Sequence, residues 1–348
     1  MKFKEVIQDC HDRTSRSNKR NLITSWRERE RFDGEIMDVF SVIFRTSGCR
    51  WSYTNGCSMC GYYTDTNPDI TKEDLEKQLQ EAEKRYEGED IVKIYSSGSF
   101  LDTKEVPKDF ALEVLRSFDS GKTVIESRPE FIDKIQLEDY ASQVENLEIA
   151  IGLESSNDFV LKNCINKGFK FEEYKNAAEK VVTNGHLLRT YLLLKPPFLT
   201  EIEAIGDVFN SIKDISHVNN VISINPVNIQ NGSLVEYLWK RKLYRPPWLW
   251  SVIEVLKRSK NISNSMIITS KSGLGSKRGG HNCSNCDDKI VKLLDQFNLS
   301  QDLQILTDVK EKIDCECYDT WLNYKDIESF LHFRGGVDIL RNRYTGYI

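Results

Sequence analysis

Ser47–Asp65 reads SGCRWSYTNGCSMCGYYTD and carries three of the chain's nine cysteines, Cys49, Cys57 and Cys60, spaced C-x7-C-x2-C. An apolar run directly before it, Val39–Phe44, predicts a buried strand. A strand that opens into such a loop sets three soft thiolates at the end of a rigid element. The count is informative, because a closed structural metal site takes four protein ligands and a reactive one keeps a position free. Two tyrosines, Tyr62 and Tyr63, follow the third cysteine.

The composition is that of a globular protein. At 348 residues, 39% hydrophobic and 29% charged, the chain suits one large domain plus an appendage. No run approaches the roughly 20 apolar residues that span a bilayer, and the start, MKFKEVIQDCHDRTSR, has no signal-peptide core. A cytoplasmic protein with no membrane partner is expected. Nine cysteines are an odd number for a disulfide framework, and clustered cysteines in a reducing compartment point to metal. The net charge of −5 gives no global basic field. Between Arg13 and Arg31, however, seven Lys/Arg face only Glu28 and Glu30. Residues 1–35 are therefore expected as a basic arm, which either meets a phosphate backbone or forms a solvated amphipathic helix.

Beyond the arm, short apolar runs alternate with longer helical patterns. The runs are Val39–Phe44, Asp90–Tyr95, Lys122–Glu126, Leu147–Gly152, Leu187–Leu194 and Val221–Asn225. The first helix, Thr71–Tyr86, opens with Thr71 and Asp74 in capping-box spacing. Six strand–helix alternations with short connections imply parallel strands and right-handed crossovers. The expected fold is α/β, a partial (β/α)6 TIM-type barrel over residues 36–260. Residues 261–348 would form a small C-terminal cysteine-containing domain for metal or substrate.

Reactive residues of such barrels sit at the C-terminal ends of the strands. The first strand end carries the cysteines. The second carries Ser96, Ser97, Gly98 and Ser99, whose small side chains let backbone approach a polar ligand. The third carries Glu126, Ser127 and Arg128, and the fourth Gly152, Glu154 and Ser155. The fifth has Lys195 before two prolines, and the sixth Asn225. Any one of these could be an ordinary capped turn. Their joint occurrence suits a cofactor bearing an amine, a carboxylate, a ribose and an adenine. A [4Fe–4S] cluster with one iron open to S-adenosylmethionine (SAM) meets that description.

The cysteine loop and the strand ends YSSGSFLD (Tyr95–Asp102), ESRPEFI (Glu126–Ile132) and IGLESSND (Ile151–Asp158) resemble the radical SAM superfamily, in its Elongator-catalytic-subunit-like branch. The C-x7-C-x2-C spacing, SGSFLD and a C-terminal HNC-x2-C followed by C-x-C are similar to the archaeal radical SAM subunits of archaeosine synthase. The superfamily's common spacing is C-x3-C-x2-C, so the long first gap points to this branch. The resemblance implies that Cys49, Cys57 and Cys60 ligate three irons while the fourth chelates SAM. It implies that Ser97, Gly98 and Ser99, with Tyr62, line the SAM site. Glu126 and Arg128 would meet the cofactor's polar ends, and Glu154 its ribose or the substrate. The implied reaction is a lyase step in tRNA: a radical from SAM attacks a lysine joined to 7-cyano-7-deazaguanine, and C–N cleavage leaves archaeosine. It implies a lysine-transferring partner subunit (ArcS-like) and an external one-electron reductant.

Cys283, Cys286, Cys315 and Cys317 form a second group, C-x2-C and C-x-C. Four thiolates suit tetrahedral zinc, a second iron–sulfur cluster or buried unmetallated cysteines. Lys271, Lys277, Arg278, Arg334, Arg341 and Arg343 are candidate phosphate contacts there, with Trp321, Tyr324 or Phe333 available for stacking. Two alternatives stand beside the lyase: another radical SAM tRNA-modifying enzyme, and a non-catalytic zinc-ribbon RNA-binding module.

Overall fold

A computed structural model describes residues 3–334. Its centre is one eight-stranded sheet in the order β1-β2-β3-β4-β5-β6-β7-β8. These are Thr24–Phe32, Glu35–Ile43, Ile91–Tyr95, Lys122–Ser127, Leu147–Glu154, Leu187–Leu194, Val221–Pro226 and Met266–Thr269. From β2 to β8 every pairing is parallel, and helices follow the strands as crossovers. The sheet curls into a partial TIM-type barrel, as expected, with the six foreseen strands as β2–β7.

Two strands were not expected. β8 adds a seventh parallel stave. β1 pairs antiparallel with β2 through a two-residue turn, in which Asp33 and Gly34 both take positive φ, 49° and 86°, as the right-handed twist of a tight hairpin favours. Residues 24–32, read as part of a basic arm, are thus a strand and not a solvated helix. The helix that does form nearby, Phe3–Asp12, lies before this stretch.

Alternation decides where β1 sends its side chains. Trp26, Glu28, Glu30 and Phe32 share the lumen face. Glu30 lies 2.8 Å from Lys93, 2.9 Å from Lys122 and 2.6 Å from Arg189. Glu28 pairs with Lys93 at 2.8 Å, Glu148 with Lys122 at 3.2 Å and also with Arg189. Three carboxylates and three cations thus plug the lumen with no net charge. Arg27 and Arg31 face the other way, Arg27 to Glu89 and Arg31 to Leu299 O.

The helix Asp287–Ser300 lies against both β1 and β8, across the gap between the sheet's edges. Its end protects the β8 edge with side-chain amides. Asn298 accepts from Thr269 N at 2.9 Å and donates to Thr269 O at 2.8 Å. Gln301, just beyond the helix, does the same for Ile267 at 3.1 and 3.0 Å. A strand edge satisfied in this way offers no template for another chain. Ile290, Leu294, Phe297 and Trp321 join the same hydrophobic core as the barrel. No described helix is long and apolar enough to cross a membrane.

Candidate functional site

The cysteine loop leaves the end of β2 and is pinned on three sides. Ser58 N donates to Ile165 O at 2.8 Å and Ser58 Oγ to Cys164 O at 2.6 Å, beyond β5. Val235 N reaches Ser58 O from beyond β7. Gly61 touches the same side, where an added Cβ would lie 2.2 Å from Asn231 O. Gly56 takes φ +71°, and a Cβ there would strike the His11 ring at 2.2 Å, so the N-terminal helix seats on the loop. Arg16 holds the outside, donating to Thr66 Oγ1 (2.7 Å) and Ser52 Oγ (3.0 Å). Cys60 N bonds Cys57 O at 3.2 Å, closing the C-x2-C turn.

The three thiols lie close enough to feel one another's charge. Burial pushes all three up, Cys60 to about 12. Three half-buried thiolates side by side call for a strong cationic partner, and iron supplies that charge while taking soft sulfur ligands. Lys167 and Arg128 add positive potential at Cys57. The donor set fits an iron–sulfur cluster.

The other expected site residues are distributed around this loop. Ser97 adopts φ 65° at the end of β3, and Glu154 φ 72° at a bulge in β5. Non-glycine residues in the left-handed region cost energy and gather where function fixes the backbone. Glu154 pairs with Lys167 at 2.9 Å, a buried lysine that the sequence did not single out. Burial works against that ammonium, yet Glu154 and the Cys57 sulfur hold its charge in place. Arg128 pairs with Glu130 at 2.6 Å and donates to Lys167 O at 3.0 Å. Burial pushes Glu126 up to about 7, against the opposite pull of the Ser96 backbone and Lys167. Tyr62 is half exposed beside Cys60.

Two strand-end residues turn elsewhere. Ser99 is buried and accepts from Arg128 N at 3.0 Å, which ties the β3 loop to the β4 loop. Lys195, φ 65°, pairs with Glu201 at 2.6 Å and Glu328 at 3.3 Å. It anchors the helix Cys317–Arg334 instead of facing the cysteines.

Glu105, also missed in the sequence, lies under the serine loop. It accepts from Ser99 N at 2.7 Å, and a Cβ on Gly98 would sit 2.0 Å from its Oε2, so a side chain there would have to displace the Glu105 carboxyl. Thr46 Oγ1 is 2.8 Å from both Ser96 O and Glu105 Oε1. A hydroxyl has one proton. It can serve one acceptor at a time, and a protonated Glu105 would let both contacts be made. Burial accordingly pushes Glu105 up to about 8. A raised carboxyl adds stability below its unfolded value of about 4.5 that is lost as pH rises through 8, up to roughly 5 kcal/mol. Glu105→Gln keeps the hydrogen bonds and removes the titration. Denaturation midpoints of the wild type should fall relative to E105Q between pH 5 and pH 8; parallel midpoints would contradict a protonated Glu105.

The C-terminal cysteines also meet. The Sγ atoms of Cys283, Cys286, Cys315 and Cys317 all lie within 4.8 Å of one another and could hold a metal ion. Trp250 Nε1 donates to Cys317 Sγ at 3.2 Å and Asn282 Nδ2 to Cys286 Sγ at 3.4 Å. The nearby basic residues are largely committed: Lys271 pairs with Asp295 and Arg278 with Glu236, each at 2.9 Å. Trp321 is buried and bonds Ser251, so it is no stacking surface. Tyr324 bonds Glu328. Arg341 and Arg343 lie outside the described residues.

Residues 43–206 match the model of the radical SAM superfamily. The chain is 37% identical to archaeosine synthase subunit beta of Methanosarcina acetivorans, over 88% of this chain and 91% of that protein. It is 37% identical to the protein of the same name from Thermococcus kodakarensis, over 86% and 95%. SuiB of Streptococcus suis, solved with S-adenosylmethionine bound, superposes with a TM-score of 0.51 at 13% identity, covering 66% of this chain and 50% of that one; this likeness concerns the fold alone. The cysteine loop on a partial barrel therefore has relatives across nearly its whole length, and the chain belongs to the radical SAM superfamily, in the family of archaeosine synthase subunit beta.

Proposed function

We propose that this chain is the radical SAM lyase subunit of an archaeosine synthase in the cytoplasm. Its substrate would be tRNA whose 7-cyano-7-deazaguanine base carries a lysine from a partner subunit, and its reaction the C–N cleavage that leaves archaeosine. The relationship to two proteins named archaeosine synthase subunit beta, over nearly their whole lengths, carries this reading.

Cys49, Cys57 and Cys60 would hold a [4Fe–4S] cluster. When bound, that cluster supplies the electron, taken from an external reductant, that splits SAM. The chain's own part is orientation and exclusion of water. Backbone at Ser97 and Gly98 would hold the cofactor amine, while Arg128 and Glu126 take its polar ends. Glu154, steadied by Lys167, would receive the ribose or substrate. Tyr62 would cover the cysteine side.

At the C-terminal tetrad the Sγ separations favour zinc. Cys283–Cys286 measures 3.8 Å, and Cys283–Cys315 and Cys286–Cys317 each 3.5 Å. A tetrahedron of 2.3 Å Zn–S bonds has edges of about 3.8 Å. A cluster with one iron per cysteine holds its thiolates further apart. Metal analysis of anaerobically purified protein should return one zinc per chain beside the iron. Removing it by Cys283→Ser with Cys286→Ser should lower the thermal midpoint, because the tetrad joins segments about thirty residues apart. Iron in place of zinc would reassign the site.

Mass spectrometry of tRNA nucleosides tests the function itself. Lysine-adducted tRNA incubated anaerobically with the protein, SAM and reductant should yield archaeosine. SAM cleavage without archaeosine would instead favour another radical SAM reaction.

A further inference from the structure

Most charged and aromatic groups in the lumen have a partner that accounts for them. The six charges of its plug neutralise one another, and Phe32 lies under Lys122 at 4.2 Å. Trp26 is different. It occupies the lumen face of β1, since Glu28 and Glu30, two and four residues on, both point into the plug. Yet it is 38% exposed. Antiparallel pairing puts it opposite Ser41, near the reactive end of the barrel and not its floor. Its indole is parallel to the Tyr95 ring within 2°, with centroids 6.0 Å apart. That separation in parallel planes describes an offset pair, two aromatic faces turned the same way.

Beyond burial, Tyr95 and Tyr191 both feel the opposing charges of Arg189 and Glu126. Glu28 stands two residues along the same face of β1. Glu28 is already paired with Lys93, which leaves Glu126 as the acidic group at the edge of these rings, and a planar ring whose rim carries N–H donors, as guanine-like bases do, suits such a place.

We propose that Trp26, extended by Tyr95, is the seat on which the flat base of the substrate nucleoside stacks when it is turned out of the tRNA into the barrel. This rests on the tRNA reading above and adds to it a recognition surface on the antiparallel strand, away from the cysteine loop.

Two measurements test it. Intrinsic fluorescence of the wild type and of Trp26→Phe is titrated with 7-deazaguanosine. Saturable quenching in the wild type that is lost in W26F is expected; equal quenching in both, or none, overturns the seat. In steady-state turnover of tRNA, W26A should raise KM by about tenfold to a hundredfold, the range for one base stacked on an aromatic ring, and W26F should recover most of it. An unchanged KM overturns the proposal, as does a W26A effect confined to the affinity for a partner protein. If the wild type turned over no tRNA, the functional reading would fail, while the nucleoside titration would still decide the stacking.

Discussion

Cys57→Ala is expected to reduce SAM cleavage to the level of a reaction without protein, and to lower bound iron in parallel. The argument lies in the environment of the thiols. Each of the three is half-buried, and burial pushes each upward, Cys60 to about 12, which favours metal as the partner for their charge. Removing one leaves two sulfurs for a site that needs three, and the loop supplies no substitute. Its nearby carboxyls are spoken for, Glu154 by Lys167 and Glu105 by Ser99 N. Cys10→Ala is the matched control, since Cys10 packs against Leu234 and Ile7 in a separate small cluster. It should keep its iron. Full cleavage by C57A, with iron retained, would remove Cys57 from the ligand set.

The second large effect concerns stability. Glu30 is buried among Arg189, Lys93 and Lys122. Burial disfavours its charge, but those three cations hold the carboxyl well below its ordinary value. Glu30→Gln should destabilise the chain by about 3–5 kcal/mol at neutral pH, the usual cost of leaving buried charge uncompensated. The sign with pH follows. A depressed carboxyl contributes stability above its unfolded value of about 4.5, and that stability is lost as pH falls below it. The wild type should therefore be more acid-labile than E30Q in relative terms. Lys93→Met in the same chain should recover part of the loss, because it removes a cation that Glu30 balanced. Additive effects of E30Q and K93M would show that packing, and not charge balance, sets the cost.

The parts of the fold that were legible share a physical origin. β2–β7 are apolar because helices cover one face and the lumen the other, and such strands stand out in composition. β1 does not. Its alternation is arginine against glutamate, so counting charge made it a basic arm, although Asp33-Gly34 between two nine-residue runs is a strong hairpin signal. β8 is four residues long and is completed by the amides of Asn298 and Gln301, which no local pattern reveals.

The site divides similarly. The cysteine loop stood out because its three candidate ligands lie within twelve residues. Glu126, Arg128 and Glu154 were singled out together because barrel chemistry gathers at strand ends. Which of them point inward was not legible. Ser99 turns aside for Arg128 N, and Lys195 for a glutamate on a helix 133 residues later. Glu105, Lys167 and Trp26 were missed because each acquires its meaning from a residue on another strand or loop.

The Asp33-Gly34 turn sets more than a hairpin. β1 runs against its neighbours, so one end of it reaches the mouth of the lumen and the other the floor. A one-residue slip would carry Trp26, Glu28 and Glu30 to the outer surface together and bring Arg27, Arg29 and Arg31 inside. The plug would then hold six cations and only Glu148 as counter-charge, and the wall beside Tyr95 would vanish. The turn thus acts as a length gauge: a single choice of spacing fixes electroneutrality at one end of the barrel and recognition at the other, and neither can drift without the other.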